Sequence, residues 1–208
     1  MTAEEIIQKL SGMLNPQKFN HSKHVMAIAR SLAAELGEDP EKAAIAGLLH
    51  DSACGMSFDD QLKVLEDNGD DPGDAGRNCP WVLHGPVARY LVPEEFGIRD
   101  KDILDAICYH TYGKEDLTRL DKIVMIADFT DPTRNIPAIA DTQAKVRKMA
   151  RADLDKAVLL IFDSTLSYLI KNGMQIHPNS IAARNFILGR IKSAAGGEAR
   201  IDKQAPIL

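Results

Sequence analysis

Six histidines are spread through the 208 residues, and four of them sit where apolar helical stripes begin or end. His21 falls in KFNHSKHV, His50 stands directly before Asp51 in GLLHDSAC, His84 lies in WVLHGPVARYL, and His110 closes DAICYHTYG. Asp128 ends the apolar run of DKIVMIADFTDPTR. Imidazole and carboxylate together suit borderline or hard divalent cations such as iron, manganese, zinc or cobalt. In a helical bundle, inward-facing side chains on separate helices converge on a core site, and dinuclear carboxylate centres are built that way. The adjacent His50 and Asp51 add an advantage, because at a helix end both fan towards one point and the carboxylate can bridge two cations. Four histidines and two aspartates suffice for two metals while leaving positions for water and substrate. Taken singly, each residue has an ordinary explanation: a helix-end histidine is a cap or a satisfied core group, and Asp128 terminates its helix. The set carries the argument, since several near-core polar groups would otherwise each need a separate partner.

The elements that must position these groups read as helices almost throughout. Ile6, Ile7, Leu10 and Leu14 form one stripe, and Val25, Ile28, Leu32 and Leu36 a second that stops at Gly37. Asp39-Pro40 is a cap and first-turn pair. Ser57 with Asp60 opens a further helix that closes at Asn68-Gly69. The longest stripe runs from Leu154 to Leu169. No segment alternates convincingly, so the chain is predicted to be all-α, a helical bundle with ligands from several helices. The stretch Asp70 to Pro80 reads as an irregular, solvated loop, lacking the spacing of a calcium-binding loop. Residues 1–192 read as a single domain and 193–208 as a flexible tail.

Composition narrows the partners. Twenty-five basic against 30 acidic side chains leave a net charge of −5, which lacks the basic field that sequence-independent nucleic-acid binding needs. The same balance argues against an anionic membrane surface. The three cysteines Cys54, Cys79 and Cys108 are odd in number and show no close pairing. With no signal-peptide layout at the N-terminus, a cytoplasmic, reduced protein is expected, a monomer or homodimer.

The order His, His-Asp, His, His, Asp, with LLHD at its centre, resembles the HD-domain metal-dependent phosphohydrolases, and most closely their YqeK-type symmetrical diadenosine tetraphosphatase branch. The resemblance runs from about Asn15 to Asn185 and includes HSKHV, AGLLHD, LHGPVARYL, DILDAICYHTYG, KIVMIADFTDPTR and IHPNSIAARN. It implies an all-helical HD fold binding two divalent metals, usually iron. Carried over by position, His21, His50, Asp51 and Asp128 would hold one ion, and Asp51, His84 and His110 the other, with Asp51 bridging. The implied reaction is hydrolysis of a dinucleoside polyphosphate, diadenosine tetraphosphate, to two ADP (a GDP-like product from the guanosine counterpart). Family members often carry a lysine three positions after the His-Asp pair, where this chain has Cys54. Cys54 is read as a plain buried thiol, with a metal ligand as the alternative, and either activity on short polyphosphates is weaker or another cation compensates for the missing charge. The guanosine-tetraphosphate, cyclic-di-GMP and dNTP branches fit less well, since their further motifs are absent.

On this reading the nucleophile is a metal-bound hydroxide, and fixed cations must hold the phosphates. Arg134 in DPTR is the first candidate, because its planar fork suits phosphate. Lys122 is the second, unless it only snorkels at the surface. Thr111 and Gly113 follow a ligand candidate; Thr111 binds phosphate, supports the metal shell or caps its helix. The alternatives are another nucleotide or phosphate-ester hydrolase on the same centre, or a non-catalytic nucleotide (alarmone) sensor.

Overall fold

The computed structural model describes residues 1–134 and 136–195. Helices α1 (Ala3–Met13), α2 (Pro16–Glu35), α3 (Pro40–Leu49) and α4 (Phe58–Asp67) come first, followed by α5 (Gly73–Asn78), α6 (His84–Phe96), α7 (Lys101–Tyr109) and α8 (Arg119–Phe129). The chain continues through α9 (Ala140–Ala150), α10 (Leu154–Lys171) and α11 (Pro178–Ala194). Among the described residues there is no strand, as the periodicity predicts. The stretch 70–80 is less irregular than expected: it folds into α5, followed by a 3-10 turn at Pro80–Val82. The tail expected from residue 193 lies, from 196 onward, outside the described residues.

Local signals set the helix ends. Asn15 Oδ1 accepts from Lys18 N at 2.9 Å ahead of Pro16, and Asp39 Oδ1 caps Glu41 and Lys42 ahead of Pro40. Thr118 and Asp121 form a reciprocal capping box for α8. Gly37 takes φ 73° just beyond α2, a left-handed conformation that a side chain would disfavour.

The core is built around α8, which is buried along nearly its whole length. Helices α2, α3, α7 and α10 pack against it, and α2 lies along α3 while α6 lies along α7. Val25, Leu49, Ile107, Ile123 and Ile126 are almost fully buried between them. At Gly85, near the start of α6, two helices approach closely: a Cβ there would stand 2.6 Å from the carbonyl oxygen of Cys108. Only hydrogen at that position lets the α6 N-terminus meet the end of α7, the place where His84 and His110 lie.

Candidate metal centre

Two of the helices end in the same construction. His50 caps α3 and His110 caps α7, each still in right-handed helical conformation. The Nδ1 of His50 lies 2.7 Å from Gly47 O, and that of His110 lies 2.7 Å from Ile107 O. A carbonyl only accepts, so both Nδ1 atoms carry the proton, and in the neutral ring Nε2 is left as a bare lone pair pointing inward. His21, from the second turn of α2, is fixed the same way by a carboxylate, with Nδ1 2.5 Å from Asp131 Oδ2.

These inward nitrogens face one another. His21 Nε2 is 3.2 Å from His50 Nε2, and His84 Nε2 is 3.0 Å from His110 Nε2. A single proton at most can satisfy each such pair, whereas one cation satisfies both lone pairs at once. Between the two pairs sits Asp51, only 1% exposed. Its Oδ1 is 3.1 Å from His84 and 3.9 Å from His110, while its Oδ2 is 3.5 Å from His50 and 3.7 Å from His21. Asp128 Oδ1 completes the His21 side, at 3.0 Å from His21 and 3.5 Å from His50. The donor atoms of His21, His50 and Asp51 lie within 4.8 Å of one another, as do those of His50, His110 and Asp128. This convergence of buried imidazole and carboxylate donors fits divalent metal binding.

Electrostatics agree. Burial pushes the Asp51 carboxyl up, but His50, His84 and Lys18 outweigh it and hold it well below the usual carboxylate range. Burial likewise pushes Asp128 up, and Arg134 with His21 and His50 holds it well below. For His110, burial and the neighbouring His50 and His84 push the imidazole down to about 3. Its lone pair is therefore free for a metal at neutral pH. His50 is different: burial lowers it, yet Asp51 and Asp128 win and raise it.

The six ligand candidates thus come together. The proposed substrate contacts divide. Arg134 reaches the cluster, its guanidinium 2.6 Å from Asp128 Oδ1. Lys122 does not, because its ammonium is buried 2.6 Å from Asp155, between α8 and α10, and is neither a phosphate contact nor a surface lysine. Gly113 is also elsewhere: it turns the chain at φ 74°, and a Cβ there would stand 2.7 Å from Phe162. It makes a tight turn packed on α10. Thr111 Oγ1 is buried without a hydrogen-bond partner, so it caps nothing. His177 caps α11 and stacks on Tyr112 at 4.2 Å.

Two residues were not legible as site residues. Lys18 lies one turn before His21 and places Nζ 2.8 Å from Asp51 Oδ2, a spacing of three that the sequence displays once His21 is known to face inward. With Arg134, Thr133, Asn15, Gln17 and Asn20 it lines a cavity of about 570 Å³ that opens beside His21. Asp131, fully buried, accepts from His21, from Thr133 N at 3.0 Å and from the Thr133 hydroxyl. Nothing in one dimension links it to a histidine 110 positions away. Asp131→Asn is expected to keep the helical far-ultraviolet spectrum and to weaken metal retention by about 10–100-fold, the usual scale for losing a group that orients a ligand. Competition with a chelator checks this, and unchanged retention counts against the role.

The HD domain family matches residues 19–133, a span that contains every ligand candidate. The chain is 32% identical over 188 residues to the symmetrical bis(5'-nucleosyl)-tetraphosphatase of Bacillus subtilis (strain 168), covering 90% of this chain and 98% of that protein. The Staphylococcus aureus (strain NCTC 8325 / PS 47) protein of the same name is 32% identical over 193 residues, covering 89% and 94%. In three dimensions the chain is similar to the crystal structure of a predicted HD superfamily hydrolase involved in NAD metabolism from Clostridium acetobutylicum. That match has a TM-score of 0.86 at 36% identity and covers 91% of this chain and 98% of the other.

Proposed function

The chain belongs to the HD domain family, and from that premise we propose that it is a symmetrical bis(5'-nucleosyl)-tetraphosphatase, splitting diadenosine tetraphosphate into two ADP. Related dinucleoside polyphosphates would be cut the same way, giving GDP from the guanosine counterpart. One observation carries the reading: the two oxygens of Asp51 face different histidine pairs, Oδ1 towards His84 and Oδ2 towards His50 and His21. We assign His21, His50, Asp51 and Asp128 to one divalent ion and Asp51, His84 and His110 to the other. Iron is the assigned metal; the donor set also suits manganese, zinc or cobalt. When bound, the ions supply Lewis acidity, activating water and neutralising charge on the phosphoryl oxygens.

The protein's own groups do the rest. Asp131 holds His21 in the tautomer that presents Nε2, and the Gly47 and Ile107 carbonyls do so for His50 and His110. Arg134 and Lys18, on the walls of the same cavity, carry the positive charge that a polyphosphate needs. Lys18 supplies a cation beside the His-Asp pair, where Cys54 supplies none. Symmetrical cleavage then follows from where the cavity holds the chain of phosphates relative to Asp51. We read the protein as cytoplasmic and as a monomer or homodimer; its three free cysteines suit a reducing compartment. No described helix is long and apolar enough to cross a membrane.

Chromatography of the products of metal-loaded protein tests the proposal. ADP as the single nucleotide product is expected from diadenosine tetraphosphate. AMP with ATP, or released inorganic phosphate, would assign the centre to another phosphohydrolase. Tight binding without turnover would make it a sensor.

A further inference from the structure

We propose that Cys54 is a thiolate ligand to the ion assigned to Asp51, His84 and His110, which makes that half of the centre a two-histidine, aspartate and cysteine set. The inference rests on the dinuclear reading above and adds a fourth, softer donor to one ion. On sequence alone the ligand role of Cys54 is the lesser reading, since a lone cysteine is ordinarily a small apolar group.

The geometry points to coordination. Cys54 N donates to Asp51 O at 2.9 Å, so the turn that follows the His-Asp pair brings the Cys54 side chain back beside that of Asp51. Cys54 Sγ stands 3.2 Å from Asp51 Oδ1, the oxygen that faces His84. Donor atoms of Asp51, Cys54 and His84 all lie within 4.8 Å of one another. Two donors sharing one ion, at about 2.0–2.3 Å each and at about 90–110°, are separated by about 3.0–3.5 Å. Three edges of the group fall in that range: Sγ to Asp51 Oδ1 at 3.2 Å, His84 Nε2 to Asp51 Oδ1 at 3.1 Å, and His84 Nε2 to His110 Nε2 at 3.0 Å. The thiol is not sealed in hydrocarbon, being only partly buried, and it shares Lys18 with Asp51 as a cationic neighbour. Cys79 and Cys108 differ: both are fully buried, with Sγ near Gln175 O and Tyr112 Oη.

Without metal the Cys54 thiol donates to Asp51, and burial pushes its pKa up. Coordination replaces the S–H bond with a metal–sulfur bond and releases the proton to solvent, as thiol ligands do on metal binding. The competing role is purely that of a hydrogen-bond donor that orients the bridging carboxylate. Serine reproduces the donor but not the soft sulfur, so the two roles separate cleanly. A thiolate also biases the site towards iron(II) and zinc and away from manganese and magnesium.

The test is a titration of the metal-stripped, full-length chain with cobalt(II) under anaerobic conditions, followed by near-ultraviolet absorption and elemental analysis. Sulfur-to-cobalt charge transfer is expected in the wild-type chain. It should vanish in Cys54→Ser and Cys54→Ala, persist in Cys79→Ser, and leave cobalt bound in all of them. Wild-type protein that binds cobalt without that absorption overturns the thiolate and leaves the metal reading standing. Absorption that persists in Cys54→Ser overturns the thiolate as well. A wild-type chain that takes up no cobalt overturns both.

Discussion

Asp51→Ala is expected to lower kcat/KM for diadenosine tetraphosphate by at least about 10³-fold and to reduce bound metal from two ions to one or none. The magnitude follows from what one carboxylate is asked to do. Metal Lewis acidity contributes several kcal/mol to stabilising a phosphoryl transition state, and about 4 kcal/mol corresponds to three decades in rate. Among the described residues Asp51 is the one carboxylate whose two oxygens are divided between the His84 side and the His21–His50 side. Its loss therefore removes the shared ligand from both. Asp51→Asn is the sharper companion, because it keeps the shape and cancels the charge that would let one oxygen serve each ion. Far-ultraviolet circular dichroism and metal content separate a lost centre from a lost fold. An Asp51→Ala protein that stays folded, keeps two metals and still hydrolyses the substrate would refute the bridging assignment. The acid side of the pH profile of stability has a definite sign in the metal-free chain. Asp51 and Asp128 are held below their ordinary values despite burial. Their stabilisation is present above about pH 4, near the ordinary carboxylate value, and is lost as pH falls through the lowered folded values.

How much of this was legible beforehand depends on whether a feature is local. The end of α2 could be read from Gly37 and the starts of α3 and α4 from Asp39 and Ser57, because such signals act within about three residues of themselves. That the ligand candidates lie near one another was legible for a similar reason: His50-Asp51 is one dipeptide at the end of α3, and His84 and His110 stand at ends of α6 and α7, with His21 in the second turn of α2. The short helix α5 escaped notice because Gly73-Asp-Ala-Gly-Arg-Asn carries no apolar stripe, and tertiary support rather than propensity holds it. Asp131 escaped because its meaning lies in His21, on another helix. Lys122 shows the opposite failure. The need for a fixed cation made Lys122 a candidate substrate contact, whereas its direction on α8 is towards Asp155 of α10. A helix face is set by the packing of its neighbours, and the sequence around Lys122 says nothing about Asp155.

Arg134→Ala is expected to reduce kcat/KM by about 10²-fold while both metals stay bound, the usual scale for losing one electrostatic contact to a transition state. Arg134 is not a ligand, and its side chain is about one-third exposed on the cavity wall, with NH2 2.6 Å from Asp128 Oδ1. That position lets the guanidinium neutralise Asp128 while its remaining donors are presented to the cavity. A guanidinium offers five donors in a rigid fork, which matches paired phosphoryl oxygens. Arg134→Lys should therefore recover only part of the lost rate, because an ammonium restores the charge but not the paired geometry. Lys18 stands on the same cavity wall and pairs with the other carboxylate, Asp51. The double substitution at Arg134 and Lys18 should cost more than either alone, because both charges act on one polyphosphate. The discriminating quantity is how the loss divides. A rise in KM with kcat unchanged would make Arg134 a contact to the bound substrate only, whereas a fall in kcat places its effect on the phosphorus being attacked. If Arg134→Ala instead releases metal, the residue is holding Asp128 in place rather than gripping phosphate, and the substrate assignment fails.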